Sequence, residues 1–346
     1  MRCSRYSMKR CDKSRRHKPG LSRISLDFYK ASLTNSLKLL RSHAVWILRF
    51  SMQHDFFELT NTQPSRSLQT VNVASVPQRS PFRYPGGKTW FVPAFRRWMQ
   101  SLSHKPKLLV EPFAGGATIA LTSICENWVD HALIIELDPD VAAVWQVIQS
   151  GDALILANCI LRFDLTYENV QIELTKEASS TMERAFKTIL KNRTFHGGIL
   201  APGSGLIKAG EAGKGLASRW YPETLAKRLT ALHQVRHRFT VECRDCMPVF
   251  AHYKEDTQAV FFVDPPYTAG GKSAGKRLYA YFELNHNKLF EACAQLAGDF
   301  LMTYDDAAEV HELVRLHSLT SQLIPMKNTH HAPMTELVVG RDLAWL

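Results

Sequence analysis

The apolar run Ala259-Val260-Phe261-Phe262-Val263 ends in Asp264-Pro265-Pro266-Tyr267, an acid, two prolines and an aromatic in succession. Two consecutive prolines remove two backbone donors and hold the chain extended. Carbonyl oxygens then point outward beside one carboxylate and one aromatic face. Such a set suits an amino group on a planar ring. Asp264 and the Pro265 carbonyl can each accept one amine hydrogen, which biases the nitrogen lone pair towards an incoming methyl group. Tyr267 can stack on the ring. The plainer reading is a strand merely stopped by Pro-Pro, and the motifs that precede this turn weigh against it.

Three further motifs carry chemistry. In Leu108-Leu109-Val110-Glu111-Pro112-Phe113-Ala114-Gly115-Gly116-Ala117 an apolar strand ends in an acid, and a glycine turn then opens a helix. Glycines let backbone approach a ligand closely, and a helix start offers free N–H groups. A nucleoside cofactor fits a crevice at the carboxyl end of such a strand. The dinucleotide fingerprint G-x-G-x-x-G is absent, which disfavours NAD. Glu136, in Ile134-Ile135-Glu136-Leu137-Asp138-Pro139-Asp140, sits about 20 residues beyond the glycine turn, the distance at which an acid can accept both ribose hydroxyls. Asp138 reads as a helix N-cap, because Pro139 then falls at the first helical position. Asp245, in Arg244-Asp245-Cys246-Met247, can meet a cofactor adenine or cap the next helix, and the two roles are compatible. Upstream, Phe82-Arg83-Tyr84-Pro85-Gly86-Gly87-Lys88 is a Pro-Gly-Gly turn bearing a lysine. It is not a P-loop, because Phe82 stands where the first glycine belongs.

The elements that must position these residues begin at Pro81. The patterning gives strands at 107–111, 132–136, 238–243, 259–263, 299–303, 319–324 and 335–339, with helices at 117–125, 140–149, 247–253, 287–297 and 307–317. Strands alternating with helices make an α/β fold, a seven-stranded and mostly parallel sheet covered on both faces. The final two strands lie too close for a crossover helix, so the last runs antiparallel. Residues 151–237 break the rhythm and read as an inserted helical domain with a glycine-rich loop over 194–215. The catalytic domain is then 81–150 with 238–346.

The chain has 346 residues, 45% of them hydrophobic, enough to bury a full core, and no apolar run approaches membrane-spanning length. Residues 1–80 hold 15 of the 43 Lys/Arg and 4 of the 32 Asp/Glu, so they carry the whole formal net charge of +11. They read as a basic extension: an arm over 1–20, expected to be disordered, short helices within 26–60 and a linker over 61–80. The seven cysteines are odd in number and scattered, which suits a reducing cytoplasm. Cys243-Arg244-Asp245-Cys246 has no second pair at zinc spacing, so no metal is expected.

Together Asp264-Pro265-Pro266-Tyr267, Glu111-Pro112-Phe113-Ala114-Gly115-Gly116 and Arg83-Tyr84-Pro85-Gly86-Gly87-Lys88 resemble the Dam-like adenine-specific DNA methyltransferases, over Pro81 to Leu346. The resemblance implies a Rossmann-like methyltransferase sheet, S-adenosylmethionine as methyl donor, and base flipping of an adenine from double-stranded DNA. It implies that Glu111 and Phe113, Ala114, Gly115 and Gly116 line the cofactor, that Glu136 holds its ribose and Asp245 its adenine. Tyr84 would pack against the pocket, and Lys88 would add positive charge near the cofactor carboxylate or the DNA. Asp264, Pro265, Pro266 and Tyr267 would hold the target amine, with Asp264 also at the cofactor. Lys191, Asn192 and Arg193 resemble the stretch that opens target recognition and would meet DNA. Arg219, Lys227, Arg228, Arg236 and Arg238 can contact phosphates or form a solvated face. Ala117 departs from the glycine or small residue common there, a change expected to matter little. The expected form is a cytoplasmic, nucleoid-associated monomer. An RNA or protein amine methyltransferase and a non-catalytic DNA-binding relative are the competing readings.

Overall fold

The computed structural model describes residues 75–84, 86–210, 213–267, 278–327 and 333–346. The arm, the helices within 26–60 and most of the linker expected over 61–80 lie outside the described residues. Contacts group Leu68–Leu346 into one compact unit.

The sheet holds seven strands: β1 (Leu108–Glu111), β2 (His131–Glu136), β3 (Phe239–Cys243), β4 (Ala259–Val263), β5 (Phe300–Tyr304), β6 (Thr320–Lys327) and β7 (Pro333–Gly340). Their order is β3-β2-β1-β4-β5-β7-β6. The first five pair parallel, and β7 is antiparallel to both β5 and β6. This is the architecture expected from the sequence. The last strand, β7, lies between β5 and β6, which leaves β6 at the edge. Chain order reverses between β1 and β4, and in open α/β sheets a crevice forms at the carboxyl ends of the strands at such a point. Glu111 ends β1, and Asp264 directly follows β4.

Alternation along the strands builds two cores. Leu109, Ile134, Val260, Phe262 and Leu301 face one side, under α1 (Val92–Ser101), α2 (Thr118–Cys125) and α3 (Pro139–Ser150). Val110, Ile135, Phe261, Val263 and Met302 face the other, under α8 (Met247–His252), α9 (His286–Ala294) and α10 (Ala308–Leu316). Between α3 and β3 come α4 (Ala153–Arg162), α5 (Tyr167–Thr175), α6 (Thr181–Thr194) and α7 (Pro222–Val235). Here α4 packs on α7, and α6 on α3. Their buried Leu156, Ile160, Ile189, Leu190 and Leu229 belong to the same core as α3 and the sheet, so the insert is fused to the catalytic layer through α3.

Local chemistry fixes the helix that follows the second strand. Asp138 accepts a hydrogen bond from the Asp140 N–H at 2.9 Å, Pro139 opens the first turn, and Gly151 closes the helix at φ 101°. From α3, the fully buried Trp145 donates its indole N–H to the Gly115 carbonyl at 2.9 Å, tying helix to glycine loop. Among the described residues no single helix is long and apolar enough to cross a membrane. Trp145→Ala leaves a cavity and an unpaired Gly115 carbonyl, and is expected to lower unfolding free energy by about 3–5 kcal/mol in chemical denaturation.

Candidate active site

A cleft with a cavity volume of about 120 Å³, partly open to solvent, lies at the β1/β4 reversal. All the residues expected at the cofactor line it: Tyr84, Lys88, Glu111, Phe113, Ala114, Gly115, Gly116, Glu136, Asp245 and Asp264. Pro266 joins them; the neighbouring Pro265 is buried and Tyr267 is half-buried.

The glycine loop forms the floor. Gly115 adopts φ 46°, and a Cβ there would stand 2.5 Å from a Tyr84 ring carbon, so only glycine lets the loop and Tyr84 pack face to face. Tyr84 stacks in turn on Tyr279, centroids 6.0 Å apart. Ala117 also takes a left-handed conformation, φ 48°, at the start of α2. Its departure from glycine therefore carries backbone strain of about 1 kcal/mol, more than the sequence suggested.

Glu111 and Glu136 hold this loop from opposite sides. Glu111 accepts from the Ala120 N–H at 2.6 Å within the first turn of α2, and burial pushes its carboxyl up to about 8. Glu136 accepts from the Gly115 N–H at 2.8 Å and the Asp138 N–H at 2.9 Å, and burial pushes it up to about 7. Asp245 accepts from the Met247 N–H at 3.1 Å while remaining exposed on the cleft, so its capping role holds.

Opposite the loop lies a buried ion cluster. Lys88 Nζ is 2.9 Å from Asp264 Oδ1, 2.9 Å from Glu336 Oε1, 3.0 Å from the Tyr267 hydroxyl and 3.1 Å from the Gly86 carbonyl. Burial pushes the ammonium down, but the Asp264 and Glu336 charges outweigh it and hold Lys88 above the usual lysine range. Tyr267 contacts Glu336 Oε1 and also reaches Asp264 Oδ1 at 2.8 Å. Thr303 donates to Asp264 Oδ1 at 2.8 Å. This cluster explains where Tyr267 sits. Its hydroxyl is drawn inward, and one ring face stacks on Tyr304 at 5.9 Å.

The stretch expected to meet DNA instead clamps the fold. Asn192 is buried, accepting from the Arg83 N–H at 2.8 Å and donating to the Arg83 and Gly198 carbonyls. Arg193 is buried and donates to the Pro81 carbonyl. Lys191 donates to the Leu200 carbonyl at 2.8 Å. Asn192 and Arg193 thus present no polar surface to a duplex, because their hydrogen bonds dock the Arg83–Lys88 segment onto the insert. Arg228, Arg236 and Arg238 also donate to backbone carbonyls. Lys227 is exposed. Around Arg193 lie Arg228, Arg83 and Arg219; burial first and then these charges push its guanidinium down to about 10.

Reading the sequence did not find Glu336, Thr303, Tyr279 or Tyr304. The available signal was an acid within the apolar Glu336-Leu337-Val338-Val339. Glu336 shares a strand face with Val338, and Thr303 shares one with Leu301, so both point into the core over which α1 lies.

A family model for D12 class N6 adenine-specific DNA methyltransferases matches residues 84–325, well over half of the chain. The chain belongs to that family. Its match begins at Tyr84 and includes the glycine loop, the insert and Asp264–Tyr267. A search of curated proteins gave no match. Among solved structures, two of the rRNA methyltransferase AviRa from Streptomyces viridochromogenes align at 13% and 11% identity, with TM-scores of 0.37 and 0.36; each covers 81% of this chain and 96% of that one. The Pyrococcus horikoshii protein PH1948 aligns at 9% identity with a TM-score of 0.33, over 81% and 94%. No group of His, Cys, Asp and Glu able to hold a metal lies among the described residues.

A carboxyl whose folded pKa is raised stabilises the fold while protonated. For Glu111 that contribution is full below about 4.5 and is lost as pH rises through about 8. Unfolding free energy of the free protein should therefore fall between pH 5 and pH 8.5. Glu111→Gln, which keeps an acceptor for Ala120, should flatten that slope in denaturant titrations at the two pH values.

Proposed function

We propose that this D12-family methyltransferase moves a methyl group from S-adenosylmethionine to the exocyclic amine of adenine within a short specific sequence of double-stranded DNA. One observation carries the reading: the Asp264 carboxylate and Pro266 open into the same cleft as the glycine loop and Glu136.

The residues present fit the cofactor. Gly115 and Gly116 keep the floor free of side chains where Tyr84 closes on it. Glu136 supplies carboxylate oxygens at the end of β2, suited to a ribose diol. Asp245 stands on the adenine side, and Phe113 offers an apolar wall. When bound, S-adenosylmethionine supplies an electrophilic methyl group on a sulfonium. Asp264 accepts one hydrogen of the target amine and the Pro265 carbonyl the other, which leaves the nitrogen lone pair free for attack. Such catalysis depends on orientation and preset charge, with no metal and no covalent enzyme intermediate.

An adenine stacked in a duplex cannot reach this cleft, so the reading includes base flipping, at a cost of a few kcal/mol. Arg83, Arg219 and Arg228 cluster around Arg193, a concentration of positive charge suited to phosphates. We infer action as a monomer, in the compartment that holds the chromosome.

The test is methyl transfer by the full chain to unmethylated duplex DNA, with RNA of the same sequence in parallel and N6-methyladenine as the product assayed. Asp264→Ala should reduce turnover by at least roughly 100-fold while S-adenosylmethionine affinity, measured by calorimetry, stays within a few-fold. Methylation of RNA alone, or retained turnover in Asp264→Ala, would refute the proposal.

A further inference from the structure

The ion cluster contains more acid than amine methylation uses. Asp264 serves the target; Glu336, equally close to Lys88, does not itself line the cleft. A second buried carboxylate is costly unless paired, so its presence needs a reason.

The strand register supplies one. Val263 pairs with Met302, which sets Asp264 beside Thr303, and Tyr304 pairs with Leu337, next to Glu336. Asp264, Thr303 and Glu336 therefore project from one face of three adjacent strands. Among the described residues, every hydrogen bond or ion pair to the Asp264 carboxylate ends on one oxygen. Lys88 at 2.9 Å, Tyr267 at 2.8 Å and Thr303 at 2.8 Å all meet Oδ1. Swinging the carboxylate out of this position would break all three contacts at once.

Glu336 decides how tightly Oδ1 is held. Tyr267 has a single phenolic proton for two carboxylate oxygens, and Lys88 divides its protons among Asp264, Glu336 and the Gly86 carbonyl. Without the Glu336 charge, both donors turn to Asp264 alone. The acceptor would then be neutralised by Lys88 and less able to polarise an amine.

We propose that Glu336 is a positioning residue for the amine acceptor: by sharing Lys88 and Tyr267 it keeps Asp264, held at Oδ1 with the help of Thr303, from being neutralised, and leaves Oδ2 for a hydrogen of the target amine. This rests on the amine-methylating reading above, and the experiment separates the two. Wild-type turnover on duplex DNA tests the reading, and only the variants test Glu336.

Glu336→Gln keeps the shape and removes the charge. Its single-turnover rate should fall by roughly 30-fold, with S-adenosylmethionine affinity within about threefold and the melting temperature retained. A residue acting through Asp264 has little left to do once that carboxylate is changed. In an Asp264→Asn background, which keeps one acceptor oxygen and measurable turnover, Glu336→Gln should therefore cost less than about threefold. Equal losses in the two backgrounds, or an unchanged rate in Glu336→Gln, would overturn the proposal. Should Glu336→Gln fail to fold, Thr303→Val reads the same device. It should slow methyl transfer by roughly 10-fold at unchanged cofactor affinity, and a wild-type rate there would equally overturn it.

Discussion

An ammonium taken out of water must find anionic partners, and an anion taken out of water must find donors. Lys88 meets that condition with two carboxylates, a phenol and a carbonyl supplied by segments far apart in the chain. The turn before α1, the end of β4 and the middle of β7 are thereby held to one point. The glycine loop faces that point across the cleft, and its own geometry is set by Tyr84 from the lysine segment and Trp145 from α3. The cofactor side and the amine side of the cleft share Tyr84–Lys88 as a common hinge pin. The residues just before that segment, Pro81 and Arg83, are in turn clasped by Arg193 and Asn192, which joins the insert to the reaction centre.

The parallel sheet explains why these groups meet where they do. With β1 and β4 as neighbours and the chain departing in opposite directions from them, the space above their carboxyl ends is not covered by a crossover. Polar groups can end there without being buried under helices. The antiparallel β7 is the exception that brings a mid-strand acid to the same level. A parallel strand in that position would present its carboxyl end there.

Much of this was legible in the sequence because it is local. Strand runs of four to eight apolar residues, the Asp138-Pro139 cap and the Asp264–Tyr267 turn are each written in neighbouring residues. All the residues expected at the cofactor converge on one cleft. What was not legible depends on pairing across long distances. Glu336 looks like a surface acid until β7 is known to lie beside β5. Asn192 and Arg193 match a target-recognition stretch by resemblance alone, which does not show that they are buried, with Arg83 and Pro81 as backbone partners. Nothing in the sequence signals that the Tyr267 hydroxyl donates to a buried acid, because that acid lies on another strand. The left-handed turn at Ala117 could not be read at all, since alanine does not announce a positive φ.

The insertion of β7 between β5 and β6 also has a bearing on the order in which the molecule is made. A growing chain that has emerged as far as Asp264 holds Lys88 and its first counter-ion, but must continue through three more strands before the other arrives. Until then β5 is an open edge and the lysine has one carboxylate to share with Tyr267. The Lys88 cluster is therefore complete only after the last strand has been made and has paired with β5.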